Sequence, residues 1–246
     1  MPLGASRAGL MSVAVDDIPD SEAEHQWQYD DQDESEVTVR DTIATLDLGY
    51  SGLTWRSGEG AGGFYAELDG VDDEAVLSND VFTHWVNSGE GTFLQWIKPT
   101  NDNERYHLVG TQFTNKRRNF NIEIDDDRIV MGAGTSSDTT DVFILNSDDT
   151  VSWHAGEWQA VMCSADGTTA TGYVAQPPDY DVIEVESDSI SNTDGGDYGE
   201  DDVVFHRDVN GDFPFDGGVD LAFMDSTGSS ESRLQNFVDD SKSLYE

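Results

Sequence analysis

From residue 37 onward the chain is a series of short apolar runs cut by turn residues, with no long helical period. This pattern predicts an all-β antiparallel sandwich. The expected strands cover residues 37–48, 63–68, 93–98, 107–113, 120–124, 128–132, 141–146, 158–165, 169–175, 202–206 and 218–224. Turn residues at 115–119, 125–127 and Asp166-Gly167 separate neighbouring runs. The C-terminus departs from the pattern. Ser229 or Ser230 is placed to cap a short helix whose Leu234, Phe237 and Val238 fall at i, i+3 and i+4 on one face, closing the sandwich. Residues 177–202 are acidic and read as an exposed loop.

Charge changes this picture. The 51 Asp and Glu against 12 Lys and Arg give a formal net charge of −39. Such a surface suits a halophilic protein, because molar salt shortens the Debye length to about 3 Å and removes most carboxylate repulsion. Six Trp, eleven Phe and eight Tyr supply a core that a disordered acidic chain lacks. The sign of the charge is wrong for phosphate, so nucleic acid is not an expected partner. The single cysteine, Cys163, sits in an apolar run and reads as a small buried residue.

Residues 1–15 contain no acid, whereas residues 16–36 are crowded with acids around Trp27 and Tyr29. This charge switch marks residues 1–36 as an N-terminal arm, with 37–246 as the folded domain. The arm is expected to dock into another subunit. The opening residues lack the apolar core of a signal peptide, and no later stretch is long and apolar enough to span a bilayer. The expectation is synthesis as a soluble cytoplasmic product without membrane insertion.

An ordered set of motifs covers residues 40–246. Leu68-Asp69-Gly70-Val71-Asp72-Asp73 ends an early strand, and Phe93-Leu94-Gln95-Trp96-Ile97-Lys98-Pro99 follows. Asn119 to Ile124 has the N-F-x-I-x-I form, Gly156-Glu157-Trp158 opens a strand that leads to Asp166-Gly167, and Gly218-Val219-Asp220 precedes the final helix. Together they resemble the laminin-G-like, concanavalin-A-like jelly rolls of the lectin and glucanase superfamily. The resemblance implies a jelly-roll β-sandwich that recognises a glycan or another surface. It also implies calcium, with Asp220 matching the family's late acid and Asp69, Asp72 and Asp73 as partners. Carboxylates converging from loops suit calcium's six to eight oxygen ligands.

Glycan readers stack aromatic rings on sugar faces. Trp27, Trp55, Trp85 and Trp153 lie outside the strongest strand patterns, the last two beside His84 and His154. Trp55, Trp85, Trp153 and His154 are therefore the candidate sugar contacts, and Trp96 and Trp158 are assigned to the core. Catalysis is not expected. Glu123-Ile124-Asp125-Asp126-Asp127 resembles the E-x-D-x-E strand of laminarinase-like glucanases but lacks the final Glu, and its acids fall where a hairpin must turn.

These readings converge on a non-enzymatic structural or adhesion protein of a particle in high salt, such as the virion of a haloarchaeal virus. In that reading it forms a homo-oligomer on the exterior, is anchored to other virion, capsid or tail proteins by its arm, and touches host surface glycans. The alternative is a soluble halophilic lectin-like protein or glycoside hydrolase of the cell itself.

Overall fold

A computed structural model describes residues 25–29, 38–41, 48–60, 63–77, 88–102, 104–112, 118–125, 128–134, 141–146, 151–191, 203–207 and 212–245. Their strands form two antiparallel sheets. The front sheet runs β4 (Thr54–Ser57), β5 (Phe64–Asp69), β16 (Asp216–Asp225), β7 (Glu90–Pro99), β12 (Gln159–Asp166), β13 (Thr169–Ala175) and β14 (Val182–Ser189). The back sheet runs β11 (Asp141–Asn146), β10 (Arg128–Gly134), β9 (Arg118–Asp125), β8 (Tyr106–Gln112), β15 (Val203–Phe205), β6 (Glu74–Leu77), β3 (Leu48–Ser51) and β2 (Thr38–Asp41). Strand β1 (His25–Gln28) joins them, pairing β16 on one side and β2 on the other.

The antiparallel sandwich expected from the sequence is therefore present, and β7, β12, β13 and β16 fall on the predicted runs. The helix α1 (Glu231–Ser241) is also present, with the Ser230 hydroxyl accepting from the Arg233 N–H. Among the described residues no helix is long and apolar enough to cross a membrane.

Two expectations need correction. Strand β1 lies inside the segment assigned to the arm, and Trp27 and Tyr29 are fully buried. The fold thus takes in His25 to Tyr29; residues 1–24 lie outside the described set. The acidic 177–202 segment is not simply a loop. It contains the edge strand β14, whose exposed acids discourage pairing with another chain.

Alternation along the strands divides the apolar residues between two cores. Phe93, Ile97, Val161, Val219 and Met224 point between the sheets, meeting Trp27, Leu108, Ile122 and Phe205. Leu94, Trp96, Ala160, Met162 and Phe223 point outward, where Leu234, Phe237 and Val238 of α1 cover them. Cys163 is buried between the sheets, and burial raises its thiol pKa well above the ordinary value, so it stays an inert apolar residue.

Candidate functional site

The helix covers only part of the outer face of the front sheet. Toward the other end, Ala66 and Leu68 of β5 point into the inter-sheet core. By alternation Tyr65, Glu67 and Asp69 then share the outer face. The register builds a surface from them. Thr54, Glu67, Gly218 and Lys98 form one rung across four strands, and Asp69 stands opposite Asp216 on the next. Arg56, opposite Tyr65, pairs with Glu67.

Gly218 leaves room at the centre of this strip. A Cβ there would stand 3.1 Å from the Tyr65 ring and 3.2 Å from Trp158. The two rings close over it edge to face, 5.3 Å apart at 87°. The Lys98 ammonium lies 5.9 Å from the centre of Tyr65 and 5.8 Å from that of Trp158, at the outer limit of cation–π attraction. Glu59, on the loop after β4, accepts from Lys98 Nζ at 2.6 Å and from Trp158 Nε1 at 2.8 Å. The Lys98 contact, and after it the indole N–H, hold the Glu59 carboxyl below its ordinary pKa, against the burial that raises it. Tyr65 and Glu67 are half-buried and Arg56 is exposed. The strip thus combines a partly exposed aromatic ring with cationic donors and anionic acceptors.

The strip continues through Asp69 into the acidic turn. Carboxylate oxygens of Asp69, Asp72 and Asp73 lie within 4.8 Å of one another. Asp73 is buried and accepts from the Asp69 N–H at 2.7 Å, while Asp69 accepts from the Val71 N–H. Burial, and then the charges of Asp69 and Asp72, push the Asp73 carboxyl above its ordinary pKa. Gly52 packs on this carboxylate. At φ +88° it adopts a left-handed conformation, and a Cβ there would meet Asp73 Oδ1 at 1.8 Å. An all-oxygen donor set that strains against its own charge fits a hard cation such as calcium, whose remaining ligands would be carbonyls and water.

Asp220 does not join this group. Strand β16 bulges next to it, so that Asp220, opposite Trp96, and the following Leu221 both sit on the outer face. Asp220 is fully buried beneath the C-terminal segment and accepts from the Tyr245 hydroxyl at 3.0 Å. The late acid therefore anchors Tyr245.

Among the proposed sugar contacts, Trp153 and Trp55 need correction. Trp153 is buried in the inter-sheet core with 6% of its surface exposed, although it lies on no strand, and Trp27 is fully buried. Trp55 points inward from the edge strand β4, half-buried, and donates to the Tyr50 hydroxyl. His154 is half-exposed beside Glu157, and Trp85 lies outside the described residues. Trp96 and Trp158 are in the core, as expected. Tyr65, the aromatic residue of the strip, was missed because it follows a glycine run and starts a predicted strand. Its alternation with Ala66 and Leu68 was the available signal.

Glu123, the acid of the glucanase-like strand, is fully buried against Arg105, which donates to it at 2.9 Å, and Asn121. Asp125, which the sequence reading put in the turn, is instead the last residue of β9, opposite Arg128.

No family model and no curated protein matches the chain. Solved structures do. Domain 4 of AbnA, a GH43 extracellular arabinanase from Geobacillus stearothermophilus in complex with arabinotriose, matches with a TM-score of 0.64 and 14% identity, over 87% of this chain and 97% of that one. The likeness is one of fold. The binding domain of botulinum neurotoxin serotype G matches at TM-score 0.60 and 11% identity, over 87% of this chain. The binding domain of botulinum neurotoxin DC in complex with SialylT matches at the same score and identity, over 91% of this chain. This chain spans about half the length of each neurotoxin structure, 50% and 52% respectively. The β-sandwich is thus of a kind also found in domains solved with sugars and in receptor-binding modules.

Proposed function

We propose that this protein is a non-catalytic glycan-binding sandwich. Its binding surface is the strip formed by Tyr65, Glu67, Arg56 and Lys98 over the buried Trp158, with calcium in the adjoining Asp69–Asp72–Asp73 turn. The observation that carries the reading is the half-buried Tyr65 ring set over Gly218 and flanked by carboxylates and cations. An aromatic face takes the apolar side of a sugar while charged side chains bind its hydroxyls. Support also comes from sandwiches of this fold seen with arabinotriose and with SialylT. Calcium would neutralise the crowded carboxylates and fix the turn beside the strip.

The test is oligosaccharide binding in molar salt, by calorimetry, with a thermal melt as the folding control. Tyr65→Ala is expected to abolish binding with the melt intact, and Asp73→Asn to remove any stabilisation by added calcium. Unchanged affinity in Tyr65→Ala would overturn the site. A melt of the wild type that does not respond to calcium would overturn the metal.

The net charge and the acid-free residues 1–15 extend the proposal to the exterior of a particle in high salt, as in a haloarchaeal virion, with the segment before His25 as anchor. Deleting residues 1–24 should then leave the sandwich folded and abolish incorporation. Normal incorporation of the shortened chain would remove the anchoring role.

A further inference from the structure

Glu59 sits in its contacts as a ligand sits in a receptor. One oxygen, Oε2, accepts from both Lys98 Nζ and Trp158 Nε1, between the walls made by Tyr65 and Trp158. An ammonium and an indole N–H converging on one point form a carboxylate site, since both only donate. The Glu59 side chain that fills it is 44% exposed, whereas Lys98 beneath it is 23% exposed. Its loop is held locally. Gly60 at φ +87° donates to the Leu244 carbonyl and accepts from the Gly63 N–H. Glu59 can therefore swing outward by side-chain rotation while the backbone stays in place.

Lysine is scarce in this chain; the sequence has Lys98, Lys116 and Lys242 against 51 acids. One of the three stands at the centre of the proposed sugar strip.

We infer that the strip selects a sugar bearing a carboxylate, of the uronic-acid type, whose carboxylate replaces Glu59 on Lys98 and Trp158 while its ring lies on Tyr65. Glu59 then acts as a resident competitor: it keeps the lysine and indole paired when no ligand is bound and sets a threshold for acidic sugars. The surrounding negative charge opposes approach of such a ligand, and high salt removes that long-range opposition. The inference rests on the glycan-binding reading above.

The experiment uses the full chain in molar salt with two probes, a galacturonate trimer and its methyl ester, which differ in charge but share the ring. The wild type is expected to bind the acid about tenfold more tightly than the ester, as one charge-assisted contact allows. Glu59→Gln should tighten the acid about tenfold further and leave the ester unchanged. Lys98→Met should erase the preference for the acid, and Trp158→Phe, which keeps a ring and loses the donor, should reduce it. Melts of each variant establish that it is folded. Equal binding of acid and ester by the wild type, or a Glu59→Gln variant no tighter for the acid, would overturn the carboxylate site and leave the glycan reading standing. Binding of neither probe would overturn both.

Discussion

Trp158 stands between two tyrosines that do different work on the same face of the front sheet. On one side Tyr245 stacks on Trp96, 4.3 Å between ring centres, and leans on Trp158 at 4.9 Å, its hydroxyl donating to the buried Asp220. On the other side Tyr65 meets Trp158 edge to face and remains half-exposed beside Lys98, Glu67 and Arg56. The helix-covered half spends its aromatics on packing, and its buried carboxylates are held inside the fold, Asp220 by Tyr245 and Asp225 by Arg233 of α1. The other half lies beyond the helix, under the Glu59 loop, and gathers carboxylates and cations. An aromatic residue on this face is therefore buried or half-exposed according to whether α1 and the Tyr245 segment after it lie above it.

The largest expected effect separates the halves by charge. Transfer from molar to near-zero salt should abolish cooperative unfolding, because a net charge of −39 is then unscreened. Hydrogen exchange during the transfer should show the Asp69–Asp73 turn opening before α1. A melt independent of salt would contradict the halophilic reading. Next come truncations within the two cores. Trp158→Ala and Trp153→Ala should each cost about 3–5 kcal/mol in denaturant titrations, since both rings are buried. A small loss at Trp153 would mean that the irregular stretch before β12 does not hold it in the core.

The space between the sheets gives a third comparison. His206 is fully buried, accepts from or donates to the Tyr29 hydroxyl at 2.9 Å, and has its pKa lowered to about 3 by burial and then by nearby His107. The unfolded chain binds a proton on this residue near its ordinary value of 6.5 and the folded chain does not. Its contribution to stability is therefore lost as pH falls from about 6.5 toward 3. The stability difference between wild type and His206→Gln should shrink across that window. A constant difference would show that His206 does not stay neutral in the folded state.

Much of this architecture could be read in the chain, and the failures share a cause. Strands with regular alternation, the Ser230 cap and the burial of Trp96, Trp158 and Cys163 follow from local pattern. Trp27 and Trp153 do not. Trp27 sits among acids that suggest an arm, yet β1 is clamped between β16 and β2; Trp153 is buried from a segment with no period to read. Asp220 was legible as a singular acid, but only the bulge in β16 reveals that it faces Tyr245. In the candidate site, the clustering of Asp69, Asp72 and Asp73 was visible because one turn holds them. The Tyr65 strip draws on β5, β7, β16 and the loop after β4, and long-range register of that kind leaves no local trace.

The smallest effect on stability should accompany the largest on recognition. Tyr65→Ala, at a half-exposed position, should cost about 1 kcal/mol or less, whereas Tyr245→Ala should cost several times that. Equal costs would remove the distinction between the two halves.

The most direct measurement is a hydrogen-exchange footprint of a bound oligosaccharide in molar salt. Protection confined to residues 56–73, 98–100 and 216–218 would place the ligand on the half of the front sheet beyond the helix. Protection confined to β14, α1 or the back sheet would contradict it.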